Sequence, residues 1–170
     1  MTSHADTRAS YDAATGLSFS QMKELLKSPA HYLHYLKAPR EQTKAMLIGS
    51  ATHAAVFQRD TFKDAYAMAP ECDRRTKDGK AIWEAAQAAL KPGQQVLAFD
   101  DYQLVLDIES AVFNATQAAG IDLTNGVAET PLFGQDRETP IKGIPDFISA
   151  DGWIYDLKTT SEGITERSAF

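Results

Sequence analysis

Apolar residues recur at helical spacing through the first two thirds of the chain. Phe19, Met22, Leu25 and Leu26 share a helical face, and Ser18 with Gln21 three positions on forms a capping-box pair. A helix is therefore expected to start at Ser18. Ser28-Pro29 predicts a restart, because proline suits a first helical position, and His31-Tyr32-Leu33-His34-Tyr35-Leu36 carries it to about Pro39. A further helix is predicted from about Gln42 to Gln58, with Met46, Leu47, Ala51, Ala54, Ala55 and Phe57 on its apolar side. Its small run Gly49-Ser50-Ala51 permits another backbone to come close. Residues 70–80 are polar and partly basic and predict a connection. A helix follows from about Asp78 to Leu90, stopped by Pro92-Gly93. Gln95 to Phe99 is too short to assign. A long amphipathic helix comes next, capped by Asp100 or Asp101, with Tyr102, Val105, Ile108, Val112 and Ala115 on one stripe and Gly120 as its stop.

After Gly120 the texture changes. Val127 to Phe133, Pro140 to Ser149 and Trp153 to Thr159 are short β-like runs separated by turn residues. Helices followed by a meander of strands predict an α+β fold, with the N-terminal helices packed on a short antiparallel sheet. Residues 1–16 are small, polar and aperiodic and are expected to form a flexible arm. The rest divides into a helical part, 17–99, and a core, 100–170.

Composition narrows the class. The 170 residues are 44% hydrophobic and 24% charged, ordinary values for a globular chain. No apolar run approaches the ~20 residues of a membrane span, and no secretory signal is visible, so a cytoplasmic protein away from membranes is expected. The single cysteine, Cys72, suits a reducing compartment. With 17 Lys+Arg against 23 Asp+Glu the net charge is −6, which argues against a passive nucleic-acid coat. An enzyme that holds DNA in a local basic groove and spends carboxylates on metal remains compatible with it.

The chemistry-bearing residues lie in the last two strands. Pro145-Asp146 is on one and Asp156-Leu157-Lys158 on the next. Alternate strand positions share a face, so Asp156 and Lys158 are expected to emerge together. If Ala150-Asp151-Gly152 is a three-residue loop with Gly152 left-handed, Ser149 pairs with Trp153 and Asp146 lies opposite Asp156. A two-residue loop, with Ala150 opposite Trp153, sets Asp146 across from Leu157 and splits the carboxylates between faces. Paired carboxylates about 5 Å apart at Cβ repel unless a cation sits between them, and a hard ion such as Mg²⁺ suits them. Lys158 beside it would hold a water or steady negative charge building on a phosphate. Taken alone, Asp-x-Lys also describes an ordinary ion pair on a surface hairpin.

Pro145-Asp146 followed by Asp156-Leu157-Lys158-Thr159-Thr160 resembles the PD-(D/E)XK nuclease superfamily. The ordered set Leu17-Ser18-Phe19-Ser20, Ser28-Pro29-Ala30-His31-Tyr32, Gly49-Ser50-Ala51-Thr52-His53 and Asp73-Arg74-Arg75-Thr76-Lys77 is similar, more narrowly, to the RecE-type phage exonucleases of the exonuclease VIII kind. The resemblance spans about residues 17–160 and implies a restriction-endonuclease-like core in residues 100–170. It implies that Asp146 and Asp156 are catalytic, metal-binding carboxylates, that Lys158 is the catalytic lysine, and that the Leu157 carbonyl is a further ligand. His53 resembles a helix histidine brought to the metal, and Glu129 an acidic residue of the first core strand, bound directly or through water. Simple pairing across Gly134 to Glu138 sets Glu129 opposite Gly143, off the Asp146 face, so a bulge or a one-residue shift is required. Arg74, Arg75, Lys77 and Lys80 become phosphate-contacting DNA-binding candidates; a second basic cluster comprises Lys23, Lys27, Lys37, Arg40 and Lys44.

By the same resemblance the cofactor is Mg²⁺, with Mn²⁺ as substitute. The substrate is the end of linear double-stranded DNA, degraded 5′ to 3′ in phage-type recombination. A homo-oligomer and a single-strand-annealing recombination protein are the implied partners. Two departures stand out. Relatives carry Lys-x-Arg-x-Asp where this chain has Lys142-Gly143-Ile144-Pro145-Asp146, which leaves Lys142 as the remaining phosphate-facing charge. The chain also stops 12 residues after Lys158, before the final helix and strand of the core. A fragment, a truncated gene or completion by another subunit would each account for that. The rival expectation is a non-catalytic DNA-binding or assembly module derived from a truncated nuclease.

Overall fold

The computed structural model describes residues 8–38 and 41–160. Residues 1–7 of the expected arm, Arg40 of the second basic cluster and residues 161–170 lie outside them. The elements in chain order are α1 (Arg8–Ala13), α2 (Phe19–Lys27), α3 (Pro29–Lys37), α4 (Lys44–Phe57), α5 (Arg59–Ala65), β1 (Tyr66–Met68), α6 (Lys77–Ala88), β2 (Gln95–Leu97) and α7 (Phe99–Ala118). Five short strands follow: β3 (Gly126–Ala128), β4 (Leu132–Asp136), β5 (Thr139–Gly143), β6 (Phe147–Ser149) and β7 (Ile154–Tyr155). The architecture is mixed α and β with small sheets. The chain forms two compact units, residues 1–41 with 125–156, and 42–124 with 157–170.

In the first unit the helices begin where the sequence places them. Ser18 accepts from the Gln21 amide while the Gln21 side chain takes the Ser18 N–H, a complete capping box for α2. Ser28 caps α3, with Pro29 at its first position. Part of the expected arm is helical: α1 is too short to show a period, and outside contacts hold it. The Lys142 ammonium donates to the carbonyls of Tyr11 (2.8 Å), in the last turn of α1, and Ala14 (2.7 Å), just after it. Leu17 then bridges β5, donating to Pro140 O and accepting from Lys142 N.

The strands are not a simple meander. β4 and β5 form a hairpin closed by Arg137-Glu138, with Arg137 at φ 54°, while β3 passes over that hairpin to pair with β6. The two ladders share one continuous register. Gly126↔Ser149 through Ala128↔Phe147 leads on to Leu132↔Gly143 through Asp136↔Thr139, with equal stretches skipped on each side. Pro131 and Pro145 fall in those stretches and have no N–H to offer, so the ladder breaks there. β7 then pairs antiparallel with β6. Phe147, 3% exposed, is the buried apolar side chain of this sheet. Its ring lies where a side chain on Gly126 would stand, since a Cβ there would meet Phe147 Cζ at 2.4 Å and Ile148 O at 2.3 Å.

The second unit has an alanine-lined core. Ala51, Ala54 and Ala55 of α4 pack with Phe62, Leu97 and Val105, flanked by Leu47, Ile48, Tyr66, Tyr102 and Leu106. Small residues on α4 let α7 lie close, and Phe62 fills the remaining space between Tyr66 and Tyr102, with both ring centroids at 5.5 Å. Thr52, fully buried, satisfies its hydroxyl on Ile48 O at 2.8 Å. Two corrections arise here. β1 and β2 pair in parallel, joined through α6, where only an antiparallel sheet was expected; three-residue strands are too short to show an alternating pattern. α7 starts at Phe99 with Ala98 as an N-cap that makes no side-chain bond, so Asp100 and Asp101 sit in its first turn and favour the helix dipole instead of capping it.

Gly126→Ala should lower stability by about 1–3 kcal/mol in urea unfolding, because the added carbon has no room. Gly143→Ala should leave the midpoint nearly unchanged, since nothing lies within 4 Å of the added carbon.

Candidate active site

The β6–β7 hairpin sets the two aspartates. Its ladder pairs Phe147 with Tyr155 and Ile148 with Ile154, so Asp146, just before β6, and Asp156, just after β7, continue it as opposed positions. The loop is the three-residue form: Ser149 N donates to Trp153 O at 2.9 Å, Gly152 N to Ser149 O at 2.9 Å, and Gly152 has φ 90°. Asp146 is half-buried and Asp156 exposed.

Glu129 occupies a different register from the one expected. The β4–β5 turn is two residues, not the span Gly134 to Glu138, so Glu129 is opposite Asp146 and not Gly143. Its N–H donates to Asp146 O at 3.0 Å. The backbone there has φ 45°, an uncommon conformation for a residue other than glycine. Three carboxylate-bearing positions, Glu129, Asp146 and Asp156, thus stand side by side across β3, β6 and β7. Among the described residues no three His, Cys, Asp or Glu side chains converge as a ready metal cage.

The strand expected over Trp153 to Thr159 is only Ile154–Tyr155. Residues 156–160 lie in no strand, so the alternation that was to set Asp156 and Lys158 on one face does not apply. Residues 157–160 belong to the second unit. There Thr159 lies near Gly49 of α4: a Cβ on Gly49 would stand 3.5 Å from Thr159 Oγ1, an ordinary contact distance. His53, one helical turn beyond Gly49, is half-buried with its ring edge-on to Phe57 at 6.2 Å. Lys158 is exposed.

The basic loop is built around a helix cap. Thr76 caps α6, accepting from Gly79 N at 3.0 Å and donating to Asp73 O at 2.9 Å. Gly79 lies against Asp73 so closely that a Cβ would meet its carbonyl oxygen at 2.0 Å. Arg75 is held by Asp73 through two side-chain bonds, 3.0 and 3.3 Å, and the Arg74 guanidinium stands 4.6 Å from the Trp83 ring. Lys77 and Lys80 are exposed on the first turns of α6. The expected polar connection thus ends in a helix cap, and its signal in the sequence is Thr76, a good N-cap residue just before the helix. Lys142, expected to face phosphate, instead holds α1. It also lines a cavity of about 610 Å³ with Tyr11, Ser18, Gln21, Tyr35 and Pro145, the residue before Asp146.

Helices mixed with small sheets, with Pro145-Asp146 leading into one hairpin strand and Asp156-Leu157-Lys158 following the next, suit a chain of PD-(D/E)XK type. It belongs to the family described as a PDDEXK-like domain of unknown function (DUF3799), whose model matches residues 18–168. That membership points to a nuclease-type function. No curated protein matches the chain in sequence. No helix among the described residues is long and apolar enough to cross a membrane.

The hydrogen bonds from the Arg75 side chain and then its backbone hold the Asp73 carboxyl below the ordinary aspartate range. A depressed pKa means that this contact stabilises the loop above the ordinary range and is lost as pH falls through the folded value. In a carboxyl NMR titration Asp73 should titrate below the ordinary aspartate value, and Arg75→Ala should return it towards that value.

Proposed function

We propose that the chain is a metal-dependent nuclease acting on DNA, with Asp146 and Asp156 as the metal-binding pair. The observation that carries this reading is the hairpin register that opposes the two carboxylates. Like charges on opposed positions are unfavourable on their own, and a hard divalent cation relieves them. The donor set fits Mg²⁺, which takes one or two carboxylates and keeps the rest of its shell for water and phosphate oxygens; Mn²⁺ would substitute. When bound, such an ion supplies Lewis-acid polarisation of a phosphate and a water nucleophile near neutral pH.

The protein's own groups then divide the work. Asp146 and Asp156 bind and orient, and the Leu157 carbonyl adds a neutral oxygen. Glu129, beside Asp146, accepts a hydrogen bond from water and holds it in place. Lys158 offsets negative charge growing on the phosphate in the transition state. By the same family resemblance His53 of α4 would be a further ligand. Lys77, Lys80, Arg74 and Arg75 hold the phosphate backbone and carry no sequence preference. By resemblance to the RecE-type exonucleases the substrate is the end of linear duplex DNA, degraded 5′ to 3′ in recombination. A homo-oligomer working with a single-strand-annealing protein in the cytoplasm completes that reading.

Calorimetry should detect Mg²⁺ or Mn²⁺ binding that Asp156→Asn removes. Lys158→Ala should keep the metal within a few-fold while cutting cleavage of linear duplex by about 10²-fold or more, the scale of losing one charge-stabilising group. EDTA should stop the reaction, and closed circular DNA should survive. Failure to bind metal at millimolar concentration would replace this reading with a non-catalytic DNA-binding or assembly module.

A further inference from the structure

The β6–β7 ladder is too small to choose its own register. β7 is an edge strand of the three-stranded sheet β3-β6-β7 and meets β6 at two paired positions only, too few to set their alignment by themselves. Burial fixes only one side of it. Phe147 anchors β6, whereas on β7 Ile154 is 59% exposed and Trp153, just before it, 67% exposed. A slip of β7 by one residue forfeits one ring contact, that of half-buried Tyr155 with Phe147 at 6.4 Å, and no fully buried side chain of β7. It would nonetheless set Asp146 across from Leu157 and turn Asp156 to the other face.

The turn supplies what the strands lack. The Ser149 hydroxyl accepts from Trp153 N at 3.0 Å, the first N–H of the returning strand, and donates to Asp151 Oδ1 at 2.5 Å. One oxygen thus ties both ends of the loop to its middle. In the competing two-residue loop Trp153 would face Ala150, which has no side-chain acceptor. Gly152, at φ 90°, takes the left-handed position that the three-residue loop requires.

We propose that Ser149 is the positioning residue of the site: its hydroxyl selects the three-residue loop and thereby holds Asp146 opposite Asp156. The inference rests on the two-carboxylate reading above. It adds a residue that touches neither metal nor DNA and acts through main-chain register.

The test uses the full chain with Ser149→Ala and Ser149→Thr. Cross-strand NOEs report register directly, and Mn²⁺ titration with line broadening at Asp146 and Asp156 reports the consequence. Ser149→Ala should populate a second register, with Phe147 opposite Asp156, and weaken Mn²⁺ binding tenfold or more. Ser149→Thr, which keeps the hydroxyl, should restore both. A Ser149→Ala protein with the parent NOEs and Mn²⁺ affinity within twofold would overturn the proposal, as would global unfolding of Ser149→Ala by circular dichroism. If the parent binds no Mn²⁺, the two-carboxylate reading fails, and the NOEs alone decide whether Ser149 sets the register.

Discussion

The first unit hangs on the fit of Phe147 against Gly126. Phe147 is the one side chain of its strands that is nearly closed off from water, and its ring takes the space that any residue larger than glycine would fill at position 126. Burying one phenylalanine contributes about 1.5–3 kcal/mol, little for a sheet of such short strands. The remaining organisation is carried by hydrogen bonds: the capping box of α2, the clamp of Lys142 on α1, the Leu17 bridge and the tight turns. With so little apolar burial, turn chemistry decides which residues face each other. The carboxylate positions Glu129, Asp146 and Asp156 are products of that geometry.

The second unit solves a different problem. Its alanine-faced α4 allows close packing with α7, and Gly49 on the same helix lies near Thr159. The same helix bears His53. A helix with bulky residues at these positions would bury more area and hold both neighbours further away. Polar groups inside this unit are satisfied locally, as with Thr52 on Ile48 O.

The basic loop shows how a charged motif acquires structure. Asp73, Thr76 and Gly79 form the start of α6, and they fix where the four cations stand. Arg75 is engaged by Asp73 and Arg74 by the Trp83 face, so the two arginines have defined orientations before any phosphate arrives. Lys77 and Lys80 are adjacent to the N-terminal end of the helix, whose dipole adds to their positive field.

Local rules were legible from the residues alone. Ser18 with Gln21, Ser28 with Pro29, and Gly152 behind Ala150-Asp151 are short-range signals, and each produced the element it predicts because the interaction closes within a few residues. The opposition of Asp146 and Asp156 was one of two alternatives in the sequence, and the observed three-residue loop decided between them. Longer-range facts were not legible. The parallel β1–β2 pair, the helix in the expected arm, the recruitment of Lys142 to α1 carbonyls and the register of Glu129 all depend on residues far apart in sequence. Strands of two to five residues and a six-residue helix carry too little periodicity to declare themselves. The sequence by itself determined where chains turn and helices begin. Only the tertiary structure decided which backbones lie side by side, because in short strands that choice is made by distant partners and not by local preference.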